Sequence, residues 1–309
     1  MKAIINLLIG TLTQNRMSVD SLYIEEQSHN PVNAKNISQE AGRLFGEAVC
    51  INSQARPQLI AGKRWEQIGN KTECALLELA FELGYDYQNY RERDEIKRLI
   101  PFSSKRKRMT TVWQVDSETV RIYCKGAPEM VLEKTTKILT TNGQTKTYFY
   151  LNKNFETYLF PSAVEDLTEN IKKQVVLNYA KKALRTIAVA YKEVSIRTLS
   201  SRDLETVPEE ELEDKLTLIA IAGIKDPLRP EIPEAVRTCK EAGITVRMVT
   251  GDITETAVSI AQNAGILSAN FEMTPGTNTV MEGKVFRERV IFSMKEGNIY
   301  LFKIGWWSY

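Results

Sequence analysis

Histidine and cysteine are scarce in this 309-residue sequence, which contains one histidine, His29, and four cysteines. No two cysteines form a Cys-x-x-Cys pair, so the sequence excludes the zinc motifs that such pairs build with nearby histidines. We expect free thiols in a reducing compartment. No residue of the chain is therefore assigned to a metal site.

Long hydrophobic runs and a charge excess are also missing. The longest strongly apolar stretch, LTLIAIAGI at 216–224, is about half as long as a membrane-spanning helix requires. The N-terminal MKAIINLLIG lacks the small-residue cleavage site of a signal peptide. The net charge is +2, from 41 basic and 39 acidic residues, which argues against binding to nucleic acid or an anionic membrane. We expect a soluble chain that contacts neither a membrane nor nucleic acid.

What is present is the composition of a folded protein, with 43% hydrophobic and 26% charged residues. From residue 215 onward, apolar strands alternate with amphipathic helices, the pattern of a doubly wound parallel sheet. Its first strand, 215–224, is almost continuously apolar, as in a parallel strand buried on both faces. The opening strand, 4–9, can join this sheet, so the intervening residues are expected to form an inserted domain.

The expected units are a first strand at 1–19, an inserted domain at 20–214, the remainder of the split α/β domain at 215–290, and an atypical tail at 291–309. The hydrophobic patterns predict helices at 38–49, 71–84, 163–184, 231–242 and 254–264, and strands at 110–117, 119–124, 185–194 and 244–249. Ser38 and Thr72 are the predicted N-caps. Residues 20–36 are polar and aperiodic, which indicates a loop.

Two motifs fall where a strand meets a helix. In VRMVTGD, a strand ends in Thr250-Gly251-Asp252, and backbone N–H groups at the next helix can bind an anion; a simple capping box is the alternative. In KGAPEMVL, Lys125 ends a strand, Gly126 gives a tight turn and Pro128 begins a helix. A lysine at this junction can meet a nucleotide, and a solvated lysine beside a turn is the alternative.

Two further motifs combine unusual residues. In PFSSKRKRMTTV, Phe102 precedes four consecutive cations, Lys105 to Arg108, which suit a base and its phosphates. A localisation signal, a nucleic-acid patch and a solvated face are the alternatives. In GIKDPLRPEIPEAV, three prolines around Asp226 and Arg229 predict a stiff hinge where one domain rejoins its neighbour.

In this order, the motifs resemble the P-type ion-pumping ATPases, especially the plasma-membrane-type calcium pumps. The similar segments are GTLTQNRMSV, GNKTECALL, PFSSKRKRMTTV, KGAPE, ALRTIAVAY, GIKDPLRPEIPEAVRTCKEAGITVRMVTGD and TAVSIAQNAGIL. In that family, an inserted domain binds ATP, and the γ-phosphoryl group passes to an aspartate of a Rossmann-like domain. The resemblance implies an α/β protein in which an α+β nucleotide-binding domain, an antiparallel sheet with helices, interrupts a partial HAD-like domain.

The resemblance also implies ATP, as its magnesium complex, and a position on the cytoplasmic side of a membrane. Phe102 would stack on the purine, and Glu73 would accept a hydrogen bond from its exocyclic amine. Lys125 would line the pocket with its charge toward the phosphates. Lys107 and Arg185 match positions that reach the phosphate chain.

The remaining matched positions lie around the phosphates and the hinge. Gly126 and Arg229 belong to the expected nucleotide-binding set, and Asp226 matches the hinge beside Arg229. Thr250, Gly251 and Asp252 match the loop that receives the γ-phosphate, although Ile253 replaces a polar residue of the family motif.

The most consequential departure precedes GTLT. The family has Asp-Lys-Thr there, and its aspartate is the nucleophile, whereas this chain has Leu7-Leu8-Ile9. Leucine cannot accept a phosphoryl group, so we expect ATP binding without a phosphoenzyme and without ion pumping. The two ends do not resemble the family, which we interpret as truncation. The alternatives are a non-catalytic nucleotide-binding or interaction module that docks on other pump segments, and a non-functional gene fragment.

Overall fold

The computed structural model describes residues 3–7, 11–60, 64–91, 95–147, 167–201, 203–250, 254–272 and 279–287. Leu8, Ile9, Gly251, Asp252 and the tail at 291–309 therefore lie outside the described residues, as does the start of the helix predicted at 163–184.

The strands, in chain order, are β1 (Ala3–Leu7), β2 (Ser18–Ile24), β3 (Gln27–His29), β4 (Gln58–Ile60), β5 (Arg64–Glu66), β6 (Ile96–Ile100), β7 (Arg108–Gln114), β8 (Thr119–Gly126), β9 (Thr135–Leu139), β10 (Thr145–Thr147), β11 (Arg185–Ser195), β12 (Leu216–Lys225) and β13 (Thr245–Val249). The helices are α1 (Gln39–Ile51), α2 (Lys71–Glu82), α3 (Gln88–Arg91), α4 (Pro128–Leu132), α5 (Leu167–Ile171), α6 (Leu177–Lys181), α7 (Glu209–Leu212), α8 (Ile232–Glu241) and α9 (Thr254–Asn263). A π-helical turn, Lys172–Val176, joins α5 to α6.

Nine strands form one sheet in the order β10-β9-β12-β11-β8-β7-β6, with β2 beside β12 and β3 beside β2. Neighbouring strands pair antiparallel, except that β9 and β12 are parallel. Helices α1 and α2 pack on one face, where Phe45 and Leu76 are fully buried. Helices α4 to α6 cover the other face, where Leu132 and Leu184 are buried. This antiparallel sheet with helices confirms the predicted class of the inserted domain.

The strand predicted at 215–224 forms as β12, but its expected place in a parallel sheet is wrong. It pairs antiparallel with β11 and β2 inside the large sheet. Its side chains enter the cores on both faces, with Leu218 and Ile221 on one and Ile219 and Ala222 on the other. A continuous apolar run reports burial on both faces, and helices on both sides bury this antiparallel strand just as they would a parallel one.

The opening strand, predicted at 4–9 to join the sheet that begins at residue 215, pairs within the described residues with one strand of that region, β13, and not with β12. β1 pairs in parallel with β13, and Leu7 is the register partner of Val249. Helix α8 packs on β13, and α9 packs on α6. A small cluster around Leu12 and Ile260 lies beside these elements. The division of the chain into domains at residues 20 and 215 stays a prediction.

The loop predicted at 20–36 is wrong for residues 20–29, because β2 and β3 form a hairpin there. Its turn residues, Glu25 and Glu26, have φ of +55° and +59°. Such left-handed pairs are usually Asn-Gly or Asp-Gly, so two glutamates gave no turn signal. Glu25 accepts a hydrogen bond from the Ser38 N–H at the start of α1, which couples the turn to that helix.

The helix starts are decided by side-chain caps. Ser38 accepts from the Ala41 N–H, which confirms the predicted cap of α1. The cap of α2 is Asn70 rather than Thr72, because its side chain accepts from the backbone of both Thr72 and Glu73. This start places Glu73 in the first turn of α2, where negative charge is favoured.

Candidate functional site

Glu73 and Lys125 form a buried ion pair beneath the N-terminus of α2. The Lys125 Nζ atom lies 2.7 Å from Glu73 Oε1, and the two residues are 7% and 8% exposed. The same ammonium donates to Ser53 Oγ at 2.9 Å and to the Asn52 carbonyl oxygen. The second carboxylate oxygen of Glu73 accepts the backbone N–H groups of Gln54, at 2.8 Å, and Ala55, at 2.9 Å. The pair therefore joins α2, β8 and the segment that follows α1.

The pair shifts the pKa values of both groups. Burial opposes ionisation of Glu73, but the Lys125 charge and the backbone donors outweigh it, so the Glu73 pKa is below its ordinary value. Burial dominates for Lys125 and lowers its pKa, although Glu73 acts against this. The Lys125 ammonium is directed at Glu73, and the expectation that its charge faces the phosphates stays a prediction.

Asn52 helps to position Lys125, because its own side chain is fixed by hydrogen bonds to two strands. Its side-chain NH₂ donates to the carbonyl oxygens of Met109, at 3.1 Å, and Tyr123, at 3.2 Å, and its side-chain oxygen accepts from Thr111. Because Asn52 is fully buried and bonded to two strands, its own carbonyl is held where Lys125 donates to it. Asn52 could not be identified from the sequence, because a lone asparagine after a helix carries no distinguishing pattern.

Phe102 lies in the loop 101–107, which connects β6 to β7, and it is 60% exposed. The loop leads into β7, where Met109 is the register partner of Lys125. The loop therefore reaches the end of β8 that carries the buried ion pair. The loop that carries the exposed Phe102 and the buried carboxylate–ammonium pair therefore lie at the same end of the paired strands β7 and β8.

Lys107 and Gly126 meet where this loop closes. The Ala127 N–H donates to the Lys107 carbonyl oxygen at 2.9 Å. A Cβ atom on Gly126 would lie 2.3 Å from that oxygen, so close approach, rather than the predicted tight turn, requires glycine at the end of β8. The Lys107 side chain is 53% exposed, with Nζ 3.8 Å from Glu129.

Two of the four consecutive cations serve a buried carboxylate. Glu213, at the end of α7, is completely buried and binds Arg106 and Arg108, each at 2.6 Å. The Thr110 hydroxyl also donates to it at 2.6 Å. The run 105–108 is therefore neither a uniformly solvated face nor a uniform basic patch. Sequence reasoning missed Glu213 because it lies more than a hundred residues from its partners.

The hinge residues lie at a separate place. The Arg229 guanidinium donates to the Thr13 carbonyl oxygen at 3.0 Å, and the Arg229 N–H donates to the Leu12 carbonyl oxygen. Thr13 and Leu228 form an antiparallel bridge, so the two connecting segments run side by side. The hinge around Asp226 and Arg229 stays a prediction.

Arg185 and Asp226 line a small cavity beside that hinge. Its volume is about 20 Å³, room for a single water molecule rather than a nucleotide. A more open cleft of about 460 Å³ is lined by other residues, among them Arg16, Trp65 and Lys71. Arg185 therefore lies beside the hinge segments, at the start of β11, the strand that pairs with the end of β8 through Ala188 and Gly126.

Thr250 directly follows β13, and the register of β1 with β13 sets residue 7 beside residue 249. Position 7 and the start of the Thr250 loop therefore share the carboxyl edge of one parallel pair, the edge where α/β sheets bind ligands. Gly251 and Asp252 lie outside the described residues.

The described part of the chain contains neither a cluster of metal-binding side chains nor a membrane-spanning helix. No group of three or more histidine, cysteine, aspartate or glutamate side chains there is arranged to hold a metal ion. No helix there is long and apolar enough to cross a bilayer. The four cysteines form no disulfide, and Cys50, Cys74 and Cys124 are buried, as expected for free thiols.

Comparison with known proteins gives consistent matches. Residues 40–148 and 155–231 match the family model described as P-type ATPase, cytoplasmic domain N. The chain is 36% identical to the plasma membrane calcium-transporting ATPase 3 of Rattus norvegicus and to the plasma membrane calcium-transporting ATPase 1 of Homo sapiens, over 290 residues in each case. It is 34% identical to the plasma membrane calcium-transporting ATPase mca-1 of Caenorhabditis elegans. Each match covers 91% of this chain, which spans 21% to 23% of these relatives.

Proposed function

The chain belongs to the P-type ATPase family, and from this premise we propose that it binds ATP between the Phe102 loop and the buried Glu73–Lys125 pair. The observation that carries the proposal is that the loop with an exposed aromatic ring and a buried, hydrogen-bonded carboxylate lie at the same end of strands β7 and β8. Adenine recognition needs these two elements, a flat apolar face and a polar group that reads the base edge.

Glu73 has capacity for one more hydrogen bond. A carboxylate offers about four acceptor positions, and within the described residues three donors reach Glu73, namely Lys125 and the backbone N–H groups of Gln54 and Ala55. The exocyclic amine of adenine is a donor that suits the fourth position. Lys125 keeps the carboxylate ionised and therefore able to accept, which is a role for its charge other than direct phosphate contact.

The phosphates would extend from this end of the two strands along cationic side chains. Lys107 is exposed at the loop end and can reach a phosphate without leaving a buried partner. Gly126 permits the close backbone approach on which that geometry depends. Magnesium would arrive with the nucleotide, held by phosphate oxygens, which are its preferred ligands alongside water. Arg185 and Arg229 lie at the hinge segments. They would contact the phosphate chain only if the bound nucleotide extends as far as those segments.

We further infer that the nucleotide-binding part interrupts a HAD-like domain, of which β1 and β13 are two strands, on the cytoplasmic side of a membrane. The sequence resembles the calcium pumps of this family, whose activity is ATP-driven calcium transport. Leu7 stands where the resemblance places the phosphorylated aspartate. We therefore propose that the chain binds ATP but forms no acyl phosphate and drives no transport.

The test is binding of a fluorescent ATP analogue to the full chain, with ATP as competitor. Phe102→Ala is expected to weaken binding by about tenfold, since stacking of a base on an aromatic ring contributes roughly 1–3 kcal/mol. Phe81→Ala is the matched control, because Phe81 is also exposed but packs on Trp65 away from the pair. Inosine triphosphate, which lacks the amine, is expected to compete less well than ATP. Absence of binding at millimolar nucleotide would refute the proposal.

A further inference from the structure

We propose that Glu213 is a positioning residue for nucleotide binding, because it fixes the loop 101–107 that presents Phe102. This inference rests on the proposed function for its effect on affinity, but its effect on the loop can be measured without nucleotide. Glu213 itself is fully buried and touches neither Phe102 nor the Glu73–Lys125 pair through the bonds described above.

The carboxylate of Glu213 accepts hydrogen bonds from donors at the end of the loop and in the following strand. Oε1 accepts from Arg106 Nη1 and from the Thr110 hydroxyl, and Oε2 accepts from Arg108 Nε, each at 2.6 Å. A second carboxylate, Glu209, lies 3.1 Å from the same Arg106 nitrogen. The end of α7 is thus attached to three alternate positions, 106, 108 and 110, where the loop becomes β7.

Arg106 links Glu213 to the other end of the loop as well. Its Nη2 donates to the Pro101 carbonyl oxygen at 2.8 Å, so the residue beside Phe102 is bonded to the same guanidinium that binds Glu213. Inside the loop, the Lys107 N–H donates to the Ser103 carbonyl oxygen at 2.7 Å, and the Arg106 N–H donates to the Ser103 hydroxyl. Both ends of the loop are therefore fixed to one buried carboxylate.

Glu47 is another buried carboxylate that binds two arginines and a hydroxyl, but its bonds hold a helix to the sheet and do not involve the loop. Glu47 accepts from Arg43 and Arg121 at 2.9 Å and from the Tyr123 hydroxyl at 3.0 Å. These bonds join α1 to β8, and none of them reaches the loop 101–107. Glu47 and Glu213 therefore have matching donors but different attachments, which makes Glu47→Gln a control for Glu213→Gln.

The first measurement is amide hydrogen exchange of the full chain without nucleotide. Glu213→Gln removes the charge that holds both arginines, so exchange in 101–107 and at Ala127 is expected to accelerate at least about fivefold relative to the wild type. Glu47→Gln is expected to leave exchange in that segment unchanged. Equal protection of the loop in both variants would overturn the inference, whether or not the chain binds ATP.

The second measurement is a double-mutant cycle on ATP affinity. Glu213→Gln is expected to weaken binding by about fivefold in the wild-type background and to have no further effect beside Phe102→Ala, because it acts through that ring. An additive loss in the double variant would show that Glu213 acts on general stability, which overturns the inference. A wild-type chain that binds no ATP refutes the proposed function, and the exchange measurement then still decides whether Glu213 fixes the loop.

Arg106→Lys keeps the experiment decisive if Glu213→Gln does not fold. Lysine preserves the charge at a residue that is partly exposed, but it cannot bind Glu213 and the Pro101 carbonyl at once as the guanidinium does. We expect the same faster exchange of the loop and the same non-additivity with Phe102→Ala. Unchanged exchange and affinity in this variant would overturn the inference.

Discussion

The Lys125 ammonium lies 2.7 Å from the Glu73 carboxylate, and both residues are less than 10% exposed. Glu73 stands in the first turn of a helix, and Lys125 stands at the end of a strand fifty-two residues later. Removing two charges from water is costly, and the mutual attraction and the extra hydrogen bonds offset that cost only while both partners are present. The pair is therefore more sensitive to loss of one member than a surface pair would be.

Lys125→Met is expected to destabilise the protein strongly, because it leaves the Glu73 carboxylate buried without its counter-charge. The free energy of unfolding should fall by about 3 kcal/mol. Urea unfolding, followed by circular dichroism, measures this change. Lys107→Met is the control, since Lys107 is half exposed and should change stability by less than about 0.5 kcal/mol. A loss below about 1 kcal/mol for Lys125→Met would contradict the account of the pair.

The ionisation of Glu73 is expected to make the free energy of unfolding depend on pH in the acidic range. Its pKa in the folded protein is lower than its ordinary value of 4.5, so the unfolded chain binds the proton more tightly. The stabilisation is therefore present above about pH 4.5 and is lost as the pH falls through the folded pKa.

In urea unfolding at a series of pH values, the stability gap between the wild type and Glu73→Gln should narrow as the solution becomes more acidic. Glu82→Gln, an exposed position in α2, is expected to show a constant gap near zero. A gap between the wild type and Glu73→Gln that stays constant or widens in acid would contradict this assignment.

Glu78 is expected to show the opposite sign. Burial raises the pKa of its carboxyl, although the Gln67 amide, which donates to it at 2.7 Å, acts against this. Because the folded protein holds this proton more tightly, the contribution to stability is present at low pH and is lost as the pH rises through the folded pKa. Glu78→Gln should therefore be more stable than the wild type at neutral pH, and acidification should remove that gain. Thermal unfolding at two pH values tests this, and destabilisation at neutral pH would contradict it.

Gly126→Ala is expected to disrupt the closure of the Phe102 loop. The added methyl group would lie 2.3 Å from the Lys107 carbonyl oxygen and 2.7 Å from the Arg108 Cα atom, both backbone atoms. A cost of about 1–3 kcal/mol in unfolding free energy is expected for such crowding. Gly42→Ala, inside α1, meets its nearest neighbours at 3.9 Å or more and should be neutral or stabilising. Equal stability of the two variants would contradict this interpretation of Gly126.

Much of the local structure could be predicted because it depends on neighbouring residues. Periodicity predicted the helix that Ser38 caps and the hairpin of β7 and β8, and the strand–helix alternation predicted that the opening strand joins a strand of the later region. Where the turn chemistry was unusual, as at Glu25 and Glu26, the pattern failed. The local sequence pattern indicates burial and periodicity, but it does not indicate which sheet a strand joins. Strand β12 is the example, because its apolar run predicted a parallel sheet and it lies in the antiparallel one.

The parts of the site that depend on distant residues could not be predicted from pattern. The bonds of Glu213 to Arg106 and Arg108 span more than a hundred residues, and only the fold brings them together. The orientation of the Lys125 ammonium is likewise decided by Asn52, Ser53 and Glu73, which reach it from other elements. The sequence motifs therefore named the candidate site residues. The ion pairs and hydrogen bonds of those residues could be identified only from the structure.

The proposed absence of phosphoryl transfer gives the last prediction. Incubation with γ-labelled ATP, followed by acid precipitation, is expected to leave the chain unlabelled, because residue 7 is leucine and an acyl phosphate needs a carboxylate. The register of Leu7 with Val249 puts this position beside the start of the Thr250 loop, so the reacting group is what is missing and not the strand that would carry it. The same preparation should bind unlabelled ATP, which separates loss of transfer from loss of binding. A hydroxylamine-sensitive label on the chain would contradict the prediction and would require another carboxylate to act as nucleophile.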